Sequence, residues 1–314
     1  MTARNLVIGA SGLVGSAIAA HAGPHVVRAM VDWSTPQSTV ESLRPTLRDF
    51  LLHGEGRRSQ QRIYWAAGRT VISSPSSEID RELETFQAVS EFILKQAGSS
   101  VVFVLVSSAG ALFRGTRGPA ITEAASPNPT SAYGTMKLAQ ERLISAGSSE
   151  HGHCALILRA PTVYGPHQDP TKQQGLISAL IRSIYTSSLV SIFVPRDTRR
   201  HYLWADDLAR IALALPDRIS ISPGTSSVRI VTTDRSRTID EVIETLARVA
   251  RRRPIVRFMP THHSDSHGLD LTQSSDFVEI KHLGPFTPLT EGIYRLLRNH
   301  YNYNEQSVRA TFGR

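Results

Sequence analysis

Asn5, Leu6, Val7 and Ile8 form a short apolar run that stops at Gly9, and glycines recur at Gly12 and Gly15. A run of this length entering a glycine turn and then an apolar-periodic segment predicts a buried strand feeding a helix over 11–20. The alternation continues along the chain. Runs at 25–31, 63–66, 101–106 and 155–158 have the length and β-branching of buried parallel strands. Helical spacing of apolar positions predicts helices over 79–96, 131–146, 176–185, 205–215, 239–251 and 290–299, with a further helix-sized segment at 40–52. Over 239–251, Val242, Ile243, Leu246, Val249 and Ala250 share one stripe while Glu241, Glu244, Arg248 and Arg251 face away. Strands alternating with helices predict an α/β fold built on a doubly wound parallel sheet. After Gly165 the prolines Pro166, Pro170, Pro195, Pro216 and Pro223 and polar loops become denser, as in a smaller, loop-rich second lobe.

Composition narrows the class. The 314 residues are 40% hydrophobic and 20% charged, a globular balance that excludes a wholly disordered or fibrous chain. No stretch approaches about 18 uninterrupted apolar residues, so no membrane span is expected. The apolar character of residues 6–20 imitates a signal segment, but three glycines at strict spacing argue for a turn and helix instead. Cys154, the single cysteine, has no internal disulfide partner, and a reducing cytoplasmic location is expected. Lys+Arg of 35 against Asp+Glu of 27 gives +8, carried by 31 Arg and 4 Lys. This charge is dispersed, and its densest run, Arg251 to Arg253, reads as a solvated helix end. A small anionic substrate accounts for the excess, and no nucleic-acid partner is expected.

Three groups of residues carry candidate chemistry. Gly9, Ser11, Gly12, Leu13, Val14 and Gly15 lie between a strand and a helix, where backbone N–H groups can approach a dinucleotide pyrophosphate. Asp32 follows 17 residues after Gly15, at the end of the second strand, where a carboxylate accepts hydrogen bonds from ribose hydroxyls and repels a 2′-phosphate. NAD is therefore expected over NADP. Tyr133 and Lys137 are four apart on one helical face, where an ammonium favours the phenolate. With 8 Tyr and 4 Lys in the chain, chance supplies such a Tyr-x-x-x-Lys only about 0.1 times. Ser108 ends an apolar strand on the edge where α/β sheets place ligands. Two clusters are read as structural. His262, His263, Asp265 and His267 have no metal-ligand spacing and lie in a proline-bounded loop, so no metal site is expected. Cys154, beside His151 and His153, is read as a small core residue.

Together with the segments Leu158 to Pro166 and Arg200 to Ala209, these motifs make the sequence resemble the extended short-chain dehydrogenases, specifically the NAD-dependent epimerase/dehydratase group. The resemblance implies a Rossmann-like domain over 1–166 and 199–234, and a small C-terminal substrate-binding lobe over 167–198 and 235–314. It implies Ser108, Tyr133 and Lys137 as catalytic residues, with Tyr133 and Lys137 also contacting the cofactor. It adds Ala66, Ala67, Gly68 and Pro161 to the cofactor site. Ser108, Thr162 and Arg200 become substrate residues, with Arg200 on a nucleotide-sugar diphosphate and Arg159 structural. A homodimer is a common assembly in that group.

The departures also carry expectations. Between Asp32 and the third apolar run there is room for only one helix-sized segment and a basic loop, so a strand usual in the group, with its adenine-contacting aspartate, is missing or replaced. The asparagine usual on the following helix has no counterpart near Glu84 and Thr85. Ala109 and Gly110 follow Ser108 where sugar 4,6-dehydratases carry an acidic pair, leaving Glu123 as the nearby carboxylate. The expected activity is an epimerase or reductase of a nucleotide-sugar. A reductase of a steroid or small carbonyl, or a non-catalytic dinucleotide sensor, stays open at this level.

Overall fold

In the computed structural model the chain is described over residues 3–52, 60–97, 101–116, 121–168, 175–233, 235–259 and 271–298. It opens with β1 (Arg4–Ile8), α1 (Leu13–His21), β2 (Val27–Ala29), α2 (Pro36–Leu52), β3 (Gln61–Trp65), α3 (Ser76–Gln96) and β4 (Val101–Ser108). A short α4 (Ala109–Leu112) leads to α5 (Ala132–His151), β5 (Cys154–Ala160) and β6 (Thr162–Tyr164). Next come α6 (Leu176–Thr186), β7 (Leu189–Ile192), β8 (Arg199–Arg200), β9 (Tyr202–Trp204), α7 (Ala205–Arg218) and β10 (Thr225–Ile230). The remaining described elements are β11 (Arg237–Thr238), α8 (Ile239–Ala250), β12 (Ile255–Phe258), α9 (Val278–Lys281) and a helix over 289–298.

Six strands form one sheet in the order β10-β5-β4-β3-β1-β2, and every pairing in it is parallel. The chain steps outward from β1 to β2 and then returns to β3 on the other side of β1. That reversal opens a crevice at the carboxyl ends of β1 and β3, the place where doubly wound sheets bind ligands. The period of two along each strand decides what covers each face. Val7, Tyr64, Val104 and Leu156 join a core with Ile18 of α1 and Leu208 and Ile211 of α7. Their neighbours Leu6, Ile8, Ile63, Trp65, Phe103 and Leu105 join a second core with Leu47 of α2 and Phe86 and Ile93 of α3. The sheet is a Rossmann-like α/β layer, as the alternation of elements predicts.

The differences from expectation have local causes. The second strand pairs with β1 over three residues only, because Met30 is already exposed and the chain turns at Asp32 to begin α2. Among the described residues no strand lies beyond β2, so the sheet ends there and α2 leads toward β3. Helix α5 continues to His151, past 146, and closes on Gly152 in the left-handed conformation. Strand β10 has no counterpart in the predicted strands. Its first residues, Thr225 and Ser226, are exposed and polar, and only Arg229 and Ile230 are buried, so the apolar signal is too short.

A separate apolar cluster gathers Ile177, Leu180, Ile181 and Ile184 of α6, Ile239, Val242, Ile243 and Leu246 of α8, and Ile293 and Leu296. The α8 stripe is buried as its spacing predicts, and a capping box between Thr238 and Glu241 starts the helix. Arg248, Arg251, Arg252 and Arg253 are exposed at its end. No helix of the described residues is long and apolar enough to cross a membrane.

Candidate active site

The glycine turn is shaped by close backbone approach. Gly9 has φ +88°, and a Cβ on it would lie 2.6 Å from the Cα and N of Ala67 at the end of β3. A Cβ on Gly15 would lie 2.0 Å from the carbonyl oxygen of Gly9. Gly12 differs, because a Cβ there would meet only Gly9 O at an ordinary 3.5 Å. Gly12 is exposed and caps α1, and no side chain bonds to the helix N-terminus. The first N–H groups of α1, beside exposed Ser11 and half-buried Leu13 and Val14, could thus cradle an anion.

Asp32 lies three residues beyond the last residue of β2, exposed, with Oδ1 accepting the N–H of Ser34 at 3.0 Å. Hydrogen bonds from the Ser34 side chain and backbone hold its carboxyl below the usual carboxylate range. Asp32 is therefore an ionised acceptor beside the crevice. The basic residues Arg57 and Arg58 lie outside the described residues.

Ser131 caps α5 by accepting the N–H of Gly134 at 3.1 Å, which puts Tyr133 in the first turn and Lys137 one turn later on the same face. The Lys137 Nζ lies 5.6 Å from the Tyr133 ring centroid and donates to Gln140 Oε1 at 3.0 Å. Ser108 ends β4 and caps α4, its Oγ accepting the N–H of Ala111 at 3.3 Å. The two groups abut: a Cβ on Gly134, next to Tyr133, would lie 2.5 Å from Ala111 O. Gly68 closes the circuit, because a Cβ there would come within 4.0 Å of Lys137 Nζ. The glycine turn, Ala66 to Gly68, Tyr133, Lys137 and Ser108 thus meet at the carboxyl end of the sheet. Tyr133 is half-buried. Burial pushes Tyr64 and Tyr202 up to about 12 and Tyr164 higher still. Those three are poor proton-transfer groups at neutral pH.

Pro161 is buried between β5 and β6. The N–H of Thr162 donates to His201 O at 3.1 Å, and β6 pairs with β9. A Cβ on Gly165 would lie 3.1 Å from Leu13 Cδ1, so this segment packs on the start of α1. Arg200 stands in β8, opposite Arg237 of β11, and its Nη1 donates to Arg199 O at 2.6 Å.

One expectation is corrected. Glu123 is tied to structure, its carboxylate accepting the N–H groups of Ile230 and Asp276 and the hydroxyl of Ser275 at 2.7–2.9 Å. The carboxylate beside the catalytic candidates is instead Glu82 of α3, whose Oε1 lies 3.9 Å from Lys137 Nζ. The sequence carried a signal for it: Glu82 falls three positions after Ile79, on the buried side of a helix whose other buried positions include Phe86, Val89 and Ile93. Cys154 is buried, and burial pushes its thiol up. The histidine cluster at 262–267 lies outside the described residues.

A family model described as "NAD dependent epimerase/dehydratase family" matches residues 5–225, from β1 to the start of β10. The chain belongs to this family. Curated relatives of this family member include a dTDP-L-rhamnose 4-epimerase of Burkholderia thailandensis, 31% identical over 97 residues, and a putative UDP-glucose 4-epimerase of Methanocaldococcus jannaschii, 31% identical over 110 residues. Those alignments cover 31% and 35% of this chain, and only 27% and 36% of the relatives' own lengths. Among solved structures, a UDP-glucose 4-epimerase of Thermotoga maritima with UDP-glucose superimposes with a TM-score of 0.76 at 21% identity, covering 96% of this chain and 99% of that one. A UDP-glucuronic acid 4-epimerase of Bacillus cereus, in complex with UDP-glucuronic acid and NAD, gives 0.73 at 19% identity, covering 95% and 100%. At these identities the likeness is one of fold.

Proposed function

We propose that this protein is an NAD-dependent 4-epimerase of a nucleotide-sugar. The observation that carries the reading is the buried Lys137 ammonium one helical turn from half-buried Tyr133, at the open end of a sheet in an epimerase-family chain. The family supports NAD, and so does the fit of the crevice. The cradle at Gly12 leaves room for a pyrophosphate, and Asp32 offers an ionised acceptor to a ribose without a 2′-phosphate. Ala66, Ala67, Gly68 and Pro161 would border the bound dinucleotide, and Lys137 would bond its nicotinamide ribose. Bound NAD supplies the hydride acceptor and later the hydride donor.

The chain's own residues do the proton work. Tyr133 Oη takes the proton of the sugar hydroxyl while the hydride leaves the same carbon. Lys137 favours the phenolate by its charge, and Ser108 orients the hydroxyl. In the return step Tyr133 gives the proton back to the carbonyl oxygen after the sugar has presented its other face. Thr162 and Arg200 hold the substrate, with Arg200 on the diphosphate, and the smaller lobe around α6 and α8 covers the sugar. Elimination of water would need a further acid and base. Ala109 and Gly110 follow Ser108, Glu123 is committed to three structural bonds, and Glu82 is buried with one oxygen bonded to the Arg69 and Thr70 backbone and the other facing Lys137.

The test is incubation with NAD and a panel of UDP- and dTDP-hexoses, followed by chromatographic separation of the C4 epimers. Epimer formation that falls by about a hundredfold or more in Tyr133→Phe, with NAD binding retained, is the expected result. A 4-keto-6-deoxy product, or no epimer from any nucleotide-hexose by a protein that binds NAD, overturns the reading.

A further inference from the structure

Glu82 is 2% exposed and lies on α3, outside every motif used above. Its Oε2 accepts the N–H groups of Arg69 and Thr70, each at 2.7 Å, which anchors the carboxylate to the loop after β3. Its Oε1 has no hydrogen-bond partner among the described residues and points at Lys137, 3.9 Å from Nζ. Gly68 leaves the space between strands and helix open, since a Cβ there would lie 3.3 Å from Glu82 Oε1 and 4.0 Å from Lys137 Nζ. The same ammonium donates a hydrogen bond to Gln140 Oε1 at 3.0 Å. A buried carboxylate with one oxygen fully bonded and the other unpartnered is costly unless a charge faces it. Lys137 is that charge.

We propose that Glu82 is a positioning residue for Lys137: its fixed carboxylate holds the ammonium in the crevice and limits how much of that positive charge acts on Tyr133. The inference rests on the assignment of Tyr133 and Lys137 as the proton-transfer pair. The physics has a definite sign. A lysine alone favours the phenolate of Tyr133; a carboxylate behind it offsets part of that field and disfavours the phenolate. The Arg69 side chain is exposed, and Glu141 and Arg159, lower on α5 and β5, neutralise one another.

The test reads Tyr133 directly, without a substrate. The ultraviolet phenolate absorbance is titrated against pH in the full-length protein, alone and with NAD, and the Tyr133→Phe protein is subtracted as the blank for the other tyrosines. Glu82→Gln keeps the shape and an oxygen for the two backbone N–H groups while removing the charge. Its Tyr133 midpoint is expected about one pH unit lower than in the wild type. Gln140→Glu puts a second carboxylate on the same ammonium and is expected to move the midpoint upward. An unchanged midpoint in a Glu82→Gln protein that melts like the wild type overturns the proposal. Should Glu82→Gln not fold, an unchanged midpoint in Gln140→Glu does so. Failure of the wild type to bind NAD counts against the proposed function and leaves the titration of the protein alone to decide on Glu82.

Discussion

Arg159 closes on Glu141 in a buried fork, Nη2 to Oε2 at 2.8 Å and Nε to both carboxylate oxygens at 3.2 Å. Ser107 donates to the same carboxylate at 2.6 Å, so one residue of α5 ties together β4 and β5 one turn beyond Lys137. Ser107 and Ser108 are neighbours with opposite duties, because successive strand residues face opposite sides. Removing Glu141 leaves a buried guanidinium without its counter-charge, and Glu141→Ala is expected to cost about 3–5 kcal/mol of folding stability, read by urea unfolding. A loss below about 1 kcal/mol would mean that the Arg159 guanidinium finds another partner or solvent once Glu141 is gone.

The glycine turn separates folding from binding. Gly9→Ala places a methyl against the Ala67 backbone at a positive φ and is expected to prevent stable folding. Gly12→Ala meets no such obstacle, so its melting should match the wild type within about 1 kcal/mol. Its NAD affinity, measured by calorimetry, should fall at least about tenfold, because the methyl enters the cradle. Unchanged NAD affinity would remove the α1 N-terminus from the cofactor site.

Asp32 sets the expected cofactor preference. Hydrogen bonds from Ser34 hold its carboxyl below the usual range, so the group is ionised at neutral pH and loses its charge only as pH falls through that lowered value. Any change in the preference for NAD over NADP between about pH 8 and about pH 5 should therefore follow the 2′-phosphate of NADP, whose second ionisation lies at about 6, and should weaken as that phosphate gains a proton. Asp32→Ala should narrow it. Equal affinity of the wild type for both cofactors would show that Asp32 does not face the ribose.

In the proposed function Arg200 holds the substrate diphosphate. Arg200→Ala is expected to raise the KM for a nucleotide-sugar by roughly a hundredfold, corresponding to about 2–3 kcal/mol for a lost charged partner. NAD binding, measured separately, should not change. A KM that stays constant would indicate a substrate without a diphosphate.

Much of this molecule is decided by short-range patterns. The glycines after Asn5 to Ile8, the four-residue interval from Tyr133 to Lys137, the apolar run ending at Ser108 and the stripe on α8 are all legible in the sequence. Strand period, helix period and turn chemistry act over a few residues, and these features need nothing more. The tertiary structure decided what meets what. Strand β10 forms because β5 offers an open edge to a segment whose own composition is largely polar. Glu123 becomes a loop anchor because Ile230, Ser275 and Asp276 converge on it from far along the chain. Glu82 reaches Lys137 because the crossovers bring α3 and α5 to the same side of the sheet and the small Gly68 leaves the gap between them unfilled. A carboxylate buried on an apolar helical face shows in sequence that some partner must exist. Only the order of strands, set by packing both faces of the sheet at once, determines that the partner is Lys137.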